Sequence, residues 1–263
     1  MTPKLMGVVN VTPDSFSDGG LFLDANVAIE HGRELASQGA DILDVGGEST
    51  RPGAEEVGVE EERRRTEPVV AALAATGHTV SIDTSKLAVA EAALDAGAEI
   101  VNDVTALRHD PEVAALVADR RAGLVLMHML GDPRTMQANP AYDDVVDEVK
   151  AFLAERLEVA VAAGVAEERV WLDPGIGFGK TLDHNLELLR RLGELRELGR
   201  PLVVGTSRKS FIGKIDGSEV GDRLGGTIAS SVIAAAEGAD VLRVHDVREG
   251  AQALKVADAI LSA

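Results

Sequence analysis

Eight short apolar runs, each ending in a polar or charged residue, alternate along this chain with segments of helical spacing. That alternation leaves few ways to fold, because strands that follow one another through helices pair in parallel and need cover on both faces. The predicted strands are Leu5–Val9, Asp41–Val45, Thr79–Ile82, Ile100–Val101, Leu124–Met127, Val170–Leu172, Leu202–Val204 and Val241–Val244. They are apolar on consecutive residues rather than alternate ones, as strands buried on both faces should be. Val145, Val149, Phe152, Leu153, Leu157, Ala160 and Val161 form one helical stripe between them, and Leu182, Leu186, Leu189 and Leu192 another. Gly39, Gly97, Gly164, Gly199 and Gly238 stand where helices should stop. An open doubly wound sheet is the other architecture for this pattern. Eight strands of similar length, with no Gly-rich turn after the first, favour an α/β (β/α)8 TIM barrel. No linker or low-complexity tract divides the chain, so residues 1–263 are expected to form a single domain. In a closed barrel all strand C-termini open onto one mouth. The runs lead to Asn10, Glu48, Asp83, Asn102, His128, Asp173, Lys209 and the pair Arg243/His245, so these scattered side chains would become one site.

Composition narrows the chemistry. Of 263 residues 45% are apolar and only 3% aromatic, which implies a large Leu/Val/Ile/Ala core. Cysteine is absent, excluding disulfides, thiolate catalysis and Cys-ligated metals, and fitting a reducing, cytoplasmic setting. No signal peptide or membrane-length apolar run is visible, so no membrane partner is expected. A net charge of −18 argues against nucleic acid. An anionic ligand would need locally gathered cations, and Arg51, Arg208, Lys209, Arg243 and His245 all fall at predicted mouth positions. The charge run Glu61–Glu67 reads as a solvated helix face with i,i+4 pairs.

Asp83, Asn102 and Asp173 follow the third, fourth and sixth strands. Each alone could be a turn or cap residue. Together at one mouth they suit a flat heterocycle with an amino-amide edge, or a divalent metal held through oxygen. Lys209 could offset their charge and donate to a ring carbonyl. Arg243 and His245 alternate on the eighth strand and face the same side, with Asn10 on the neighbouring first strand. They suit pyrophosphate; the alternative is an Arg243–Asp246 ion pair. LDPGIGFGKT (Leu172–Thr181) nearly spells a phosphate-cradling loop, but Pro174 stands where the first glycine belongs, so a tight strand-to-helix turn is the simpler reading. Phe178 at its tip suits a cover for a flat ligand. His128, among apolar neighbours, reads as structural. The loops VNVTPDSFSDGG (Val9–Gly20) and GGESTRPG (Gly46–Gly53) read as active-site lids, with Phe16 and Arg51 at their tips.

Taken in order, VNVTPDSFSDGG, DVGGESTRPG, SIDTSK, VND, LMHM, LDPGIGFGK, VGTSRKSFIG and LRVHDV resemble the motifs of the dihydropteroate synthase family. The likeness runs from the first strand through the last helix. It implies a transferase of folate biosynthesis that condenses 6-hydroxymethyl-7,8-dihydropterin diphosphate with p-aminobenzoate, releasing pyrophosphate. By that resemblance Asp83, Asn102, Met127, Asp173 and Lys209 hold the pterin. Asn10, Arg243 and His245 hold the diphosphate, with Asn10 also touching Mg2+. Phe16, Thr50, Arg51, Pro52, Gly177, Phe178, Lys209 and Ser210 form the p-aminobenzoate pocket, which sulfonamide inhibitors would share. Asp83, Asp173, Lys209, Arg51 and Phe16 are the expected catalytic set, and a homodimer is the usual assembly. An aniline is a weak nucleophile, so departure of diphosphate first, giving a pterin cation, is the expected course. Three rivals stand beside this reading: a pterin-dependent methyltransferase acting on methyltetrahydrofolate, a nucleotide hydrolase using the near phosphate loop, and a non-catalytic pterin carrier.

Overall fold

A computed structural model describes residues 3–11, 21–49, 56–132 and 134–263. The chain runs β1 (Lys4–Asn10), α1 (Leu21–Gln38), β2 (Ile42–Gly46), α2 (Val59–Ala74), β3 (Thr79–Asp83), α3 (Leu87–Asp95), β4 (Ile100–Asp103), α4 (Val113–Arg120) and β5 (Gly123–Met127). It continues α5 (Val145–Ala162), β6 (Val170–Asp173), α6 (Leu182–Arg190), β7 (Val203–Val204), α7 (Ser210–Asp216), α8 (Leu224–Ala236), β8 (Val241–Val244) and α9 (Val247–Leu261). The strands form one parallel sheet in the order β6-β5-β4-β3-β2-β1-β8-β7. A single bridge, Leu172 to Leu202, brings β6 back to the β7 segment and nearly closes the barrel. Each predicted strand is present within a residue or two. The five helix-stopping glycines all adopt positive φ, between 68° and 108°.

Strand alternation sorts the barrel interior into layers. At the N-terminal end Met6, Ile42, Ile100, Val125, Val203 and Val241 pack with Trp171 into an apolar plug. Two residues further along the same strands stand Asp44, Asn102, Met127, Asp173 and Arg243, so a polar layer rests directly on the plug. The register sets Asp83 beside Asn102 and Gly46, and Met127 beside Asp173. The opposite faces of the strands bury Val9, Leu43, Val45, Ile82, Val101, Leu124 and Leu126 against the helical ring. Removing any one of these would leave a cavity costing about 2–5 kcal/mol.

Two expectations about helix faces need correction. Glu62 and Thr66, within the run read as solvated, are each only 1% exposed. They lie on the stripe Glu62, Thr66, Val69, Val70 and Leu73 that α2 turns inward. On α6 the buried residues are Asn185, Leu188 and Leu189, while Leu186 is 41% exposed. Leu186 faces outward because it joins Ile215 and Ile233 along an apolar groove between α6, α7 and α8.

Candidate active site

The polar layer is a linked charge network. Arg243 donates from Nε to Asp44 Oδ2 at 2.6 Å and from Nη2 to Asp83 Oδ2 at 2.8 Å. Asn102 Nδ2 donates to the same Asp44 oxygen at 3.1 Å. That bond takes one amide N–H of Asn102 and leaves its Oδ1 as the acceptor end of the group. Opposite, Asp173 Oδ1 accepts from Gly175 N at 2.6 Å. Lys209 Nζ donates to Ile176 O and lies 4.8 Å from the centre of the Phe178 ring. This lysine therefore bridges the loops after β6 and β7, across the seam where the barrel has its single bridge. Phe178 packs on Val104, Met127, Met129 and Met136, an apolar wall beside the charged floor.

Three carboxylates, Asp44, Asp83 and Asp173, thus face two cations, Arg243 and Lys209. Burial pushes the Asp83 carboxyl up, with Arg243 opposing and Asp44 reinforcing the rise. Burial likewise raises Asp173, against the pull of Lys209. Lys209 is pushed down to about 8 by burial, with Asp173 opposing and Arg243 adding to the fall. For Arg243 burial acts downward, but Asp44 and Asp83 more than reverse it and hold the guanidinium above its ordinary range. Among the described residues, Asp44 Oδ1 and Asp83 Oδ1 are buried acceptors with no partner. Orphaned carboxylate oxygens are costly unless a ligand supplies donors, so the floor is built for a group rich in N–H.

The sequence and the fold can now be set beside known proteins. A model of pterin-binding enzymes matches residues 6–245. The chain belongs to the pterin-binding enzyme family. Within it, the dihydropteroate synthase of Neisseria meningitidis serogroup C is 49% identical over 98% of this chain and 93% of its own length. The Xanthomonas albilineans dihydropteroate synthase, solved with 4-aminobenzoic acid, superposes with a TM-score of 0.94 at 49% identity, covering 100% of this chain and 94% of that one. The same enzyme has also been solved with 7,8-dihydropteroate, with a TM-score of 0.91 at 46% identity over 100% of this chain and 95% of that one. A Yersinia pestis dihydropteroate synthase in a sulfonamide complex gives 0.94 at 45% identity, covering 100% and 95%. The likeness is to synthases, and the methyltransferase alternative is not favoured.

In this pterin-binding enzyme Asp83, Asn102, Met127, Asp173 and Lys209 do surround one mouth, as expected. Arg243 keeps other company than the sequence suggests. It stands among acids, salt-bridged to Asp44 and Asp83, whereas the diphosphate reading rested on its standing beside an uncharged Asn10. The alternative pair with Asp246 is also absent, because Asp246 holds Arg208 at 2.5 Å. Arg243 Nη1 takes no part in either pair. His245 accepts or donates at Nδ1 to Ser207 Oγ at 2.9 Å, and Asn10 is half-buried at the end of β1. Gly177 and Phe178 line the β6–α6 loop, and exposed Ser210 begins α7. Phe16, Thr50, Arg51 and Pro52 lie outside the described residues.

Some participants are not marked by strand ends. Asp44 hides inside the apolar run ILDVG; its signal is a lone acid on the inward parity of a barrel strand. Glu48, read as the entry to a lid, is instead part of a buried clasp: Lys86 Nζ donates to Glu48 Oε2 at 2.5 Å, Glu62 Oε2 at 2.6 Å and Val57 O at 2.6 Å. Thr84 Oγ1, next to Asp83, donates to Glu62 Oε1 at 2.7 Å. The ammonium of Lys180 does not reach toward a ligand as a phosphate-loop lysine would. It points inward to Gly175 O, Phe178 O and His128 Nδ1. That removes the ground for a nucleotide hydrolase and bears out the tight-turn reading.

Proposed function

We propose that this chain makes 7,8-dihydropteroate by a dissociative substitution, in which diphosphate leaves the dihydropterin before p-aminobenzoate attacks. The observation that carries this reading is the acid-rich floor with its orphaned acceptors, Asp44 Oδ1 and Asp83 Oδ1. A dihydropterin presents ring N–H and NH2 groups whose hydrogen bonds Asp83 and Asp173 would accept at the mouth, with Lys209 donating to the ring carbonyl and Asp44 wholly buried beneath. A floor with one carboxylate more than its cations also stabilises positive charge developing in the ring above it, and does so without reorganising. Arg243, held by Asp44 and Asp83, keeps both acids in place. His245 and Asn10 would hold the diphosphate.

Mg2+ fits as an ion carried in by the substrate. Asn10 offers one amide oxygen, and among the described residues no cluster of three acidic, His or Cys side chains could hold a metal by itself. A few protein oxygens plus substrate phosphates are the usual magnesium environment. When bound, it neutralises charge on the leaving diphosphate. For p-aminobenzoate, Phe178, Gly177, Lys209 and Ser210 form the described part of the pocket, and Phe16, Thr50, Arg51 and Pro52 would complete it. Sulfonamides would compete there.

The direct test mixes purified protein, Mg2+, the pterin diphosphate and p-aminobenzoate and measures pyrophosphate. Product formation supports the reading; pterin binding without pyrophosphate release would favour a carrier. In the same assay Asp83→Asn, which keeps an acceptor for Arg243, should cut kcat far more than it raises the pterin KM. An unchanged kcat with only a raised KM would reject the dissociative role of Asp83.

The assembly we infer is a homodimer joined through the α6–α7–α8 face, where Leu186, Ile215 and Ile233 are 41%, 60% and 51% exposed around a groove of about 450 Å3. Light scattering should give twice the chain mass, and Ile215→Glu should halve it. A cytoplasmic location is the setting we infer from the cysteine-free composition.

A further inference from the structure

Lys180 is the largest fully buried side chain, 1% exposed, and the reaction above makes no use of it. Its Nζ meets three polar partners: His128 Nδ1 at 2.9 Å, Gly175 O at 2.9 Å and Phe178 O at 3.0 Å. Either protonation state fills the set, since an ammonium donates to all three, and a neutral amine donates to the two carbonyls while a proton on His128 Nδ1 meets its lone pair. The two carbonyls are the ends of one tight turn, closed by Phe178 N donating to Gly175 O at 3.0 Å.

Every carbonyl from residue 175 to 179 is held from outside the turn's own backbone. Ile176 O receives Lys209, Gly177 O receives Gln137 Nε2 at 2.5 Å and Gly179 O receives Tyr142 Oη at 2.8 Å. Gly177 N in turn donates to Asn185 Oδ1 at 2.6 Å. A Cβ on Gly175 would lie 1.9 Å from His128 O, and one on Gly179 2.5 Å from Leu130 Cβ, so the turn presses directly on the end of β5. The loop is thus stretched between two lysines, Lys180 beneath and Lys209 at the mouth. What this arrangement leaves aimed at the mouth is the Phe178 ring, 4.8 Å from Lys209 Nζ. His128, otherwise without a task, is the fixed point: its ring meets Phe152 edge-on at 4.8 Å between centroids.

We propose that Lys180, braced by His128, is a positioning residue for the aromatic amine substrate, holding the Gly175–Gly179 turn so that it presents the Phe178 ring at the mouth. The proposal rests on the reading that Phe178 lines the p-aminobenzoate pocket. It takes the lysine as a loop fastener rather than a ligand for phosphate, and it gives His128 the role of that fastener's neutral partner.

The test is steady-state kinetics on the full chain, varying each substrate in turn. Lys180→Met should raise the p-aminobenzoate KM about tenfold, the effect of misplacing one good contact, while the pterin diphosphate KM stays within about twofold. In a Phe178→Leu background the same substitution should add nothing, since the contact it places is already gone. Equal rises in both KM values, or full additivity with Phe178→Leu, would overturn the proposal as mere loss of folding quality. An unchanged p-aminobenzoate KM in Phe178→Leu alone would remove the pocket reading, and the proposal with it. A changed KM there, with no selective effect of Lys180→Met, overturns the proposal alone. Should Lys180→Met not fold, His128→Phe removes one polar partner and keeps a ring against Phe152. It should shift the p-aminobenzoate KM selectively by a smaller factor, and a loss shared by both substrates counts against the proposal.

Discussion

Lys86 and Lys180 are both almost removed from water at the feet of mouth loops, yet they are answered in opposite ways. Lys86, with its side chain 7% exposed, meets the carboxylates of Glu48 and Glu62. Lys180 meets two backbone carbonyls and an imidazole. For Lys86 burial pulls the ammonium down, but the hydrogen bonds it donates to the two acids reverse this and raise it. For Lys180 burial prevails and lowers it well below the ordinary lysine range, with Asp173 opposing. Glu62 is raised by burial, because one ammonium is shared between two acids. A buried lysine can therefore be answered either by opposite charges, which keep it protonated, or by neutral partners, which do not offset its burial. The first kind couples folding to pH through its acids; the second serves mainly to set geometry.

The sharpest way to break that comparison is Lys86→Met. It leaves Glu62 buried and without its cation, and should cost about 3–5 kcal/mol in urea unfolding. Glu62 binds its proton more tightly folded than unfolded, so its burial weighs most at neutral pH and is relieved as acid protonates it. The deficit of Lys86→Met relative to the parent should accordingly shrink from pH 7 toward pH 5. Lys180→Met leaves only neutral groups behind and should cost less, about 1–3 kcal/mol at pH 7. Equal costs would erase the difference between the two lysines.

Lys209 sharpens the comparison as a third lysine, the one proposed to contact the substrates. Held down to about 8, it loses its charge as pH rises through that value. The quantity kcat/KM should then fall above pH 8 by about tenfold per unit, and Lys209→Arg should remove that limb because the guanidinium stays charged. His128 carries the smallest effect. Its imidazole is pushed down to about 2, first by burial and then by Lys180 and Arg108. Unfolding lets it bind a proton it refuses when folded, so stability is present above pH 6.5 and lost below. Between pH 6.5 and 5.5 the parent should lose about 1 kcal/mol more than His128→Phe. Identical slopes for the two would mean the folded imidazole titrates normally.

Much of the mouth was legible because strand ends are local features. Asp83, Asn102, Asp173 and Lys209 each follow an apolar run, and the barrel brings them together as expected. Asp44 was not legible in the same way: it sits inside a run instead of after it, so only its inward parity marks it. Glu62 was hidden by composition, since a helix turn reading EERRRTE looks wholly solvated until the 62–66–69–73 spacing is matched to the buried side. Lys180 could be recognised as belonging to a tight turn, but not as the residue that holds the turn. Arg243 was placed on the correct strand with the wrong company.

Those cases share one physical cause. Apolar periodicity, strand ends and helix-stopping glycines are written over a few neighbouring residues, and they were sufficient to specify eight β/α units, their order and the mouth they share. Which charge answers which is a property of register and closure. Arg243 finds Asp44 and Asp83 from 199 and 160 residues away, Asn102 finds Asp44 across 58, and Lys180 finds His128 across 52. Coulomb and hydrogen-bond energies fall off within a few ångströms, so such partners could be decided only once the barrel had closed.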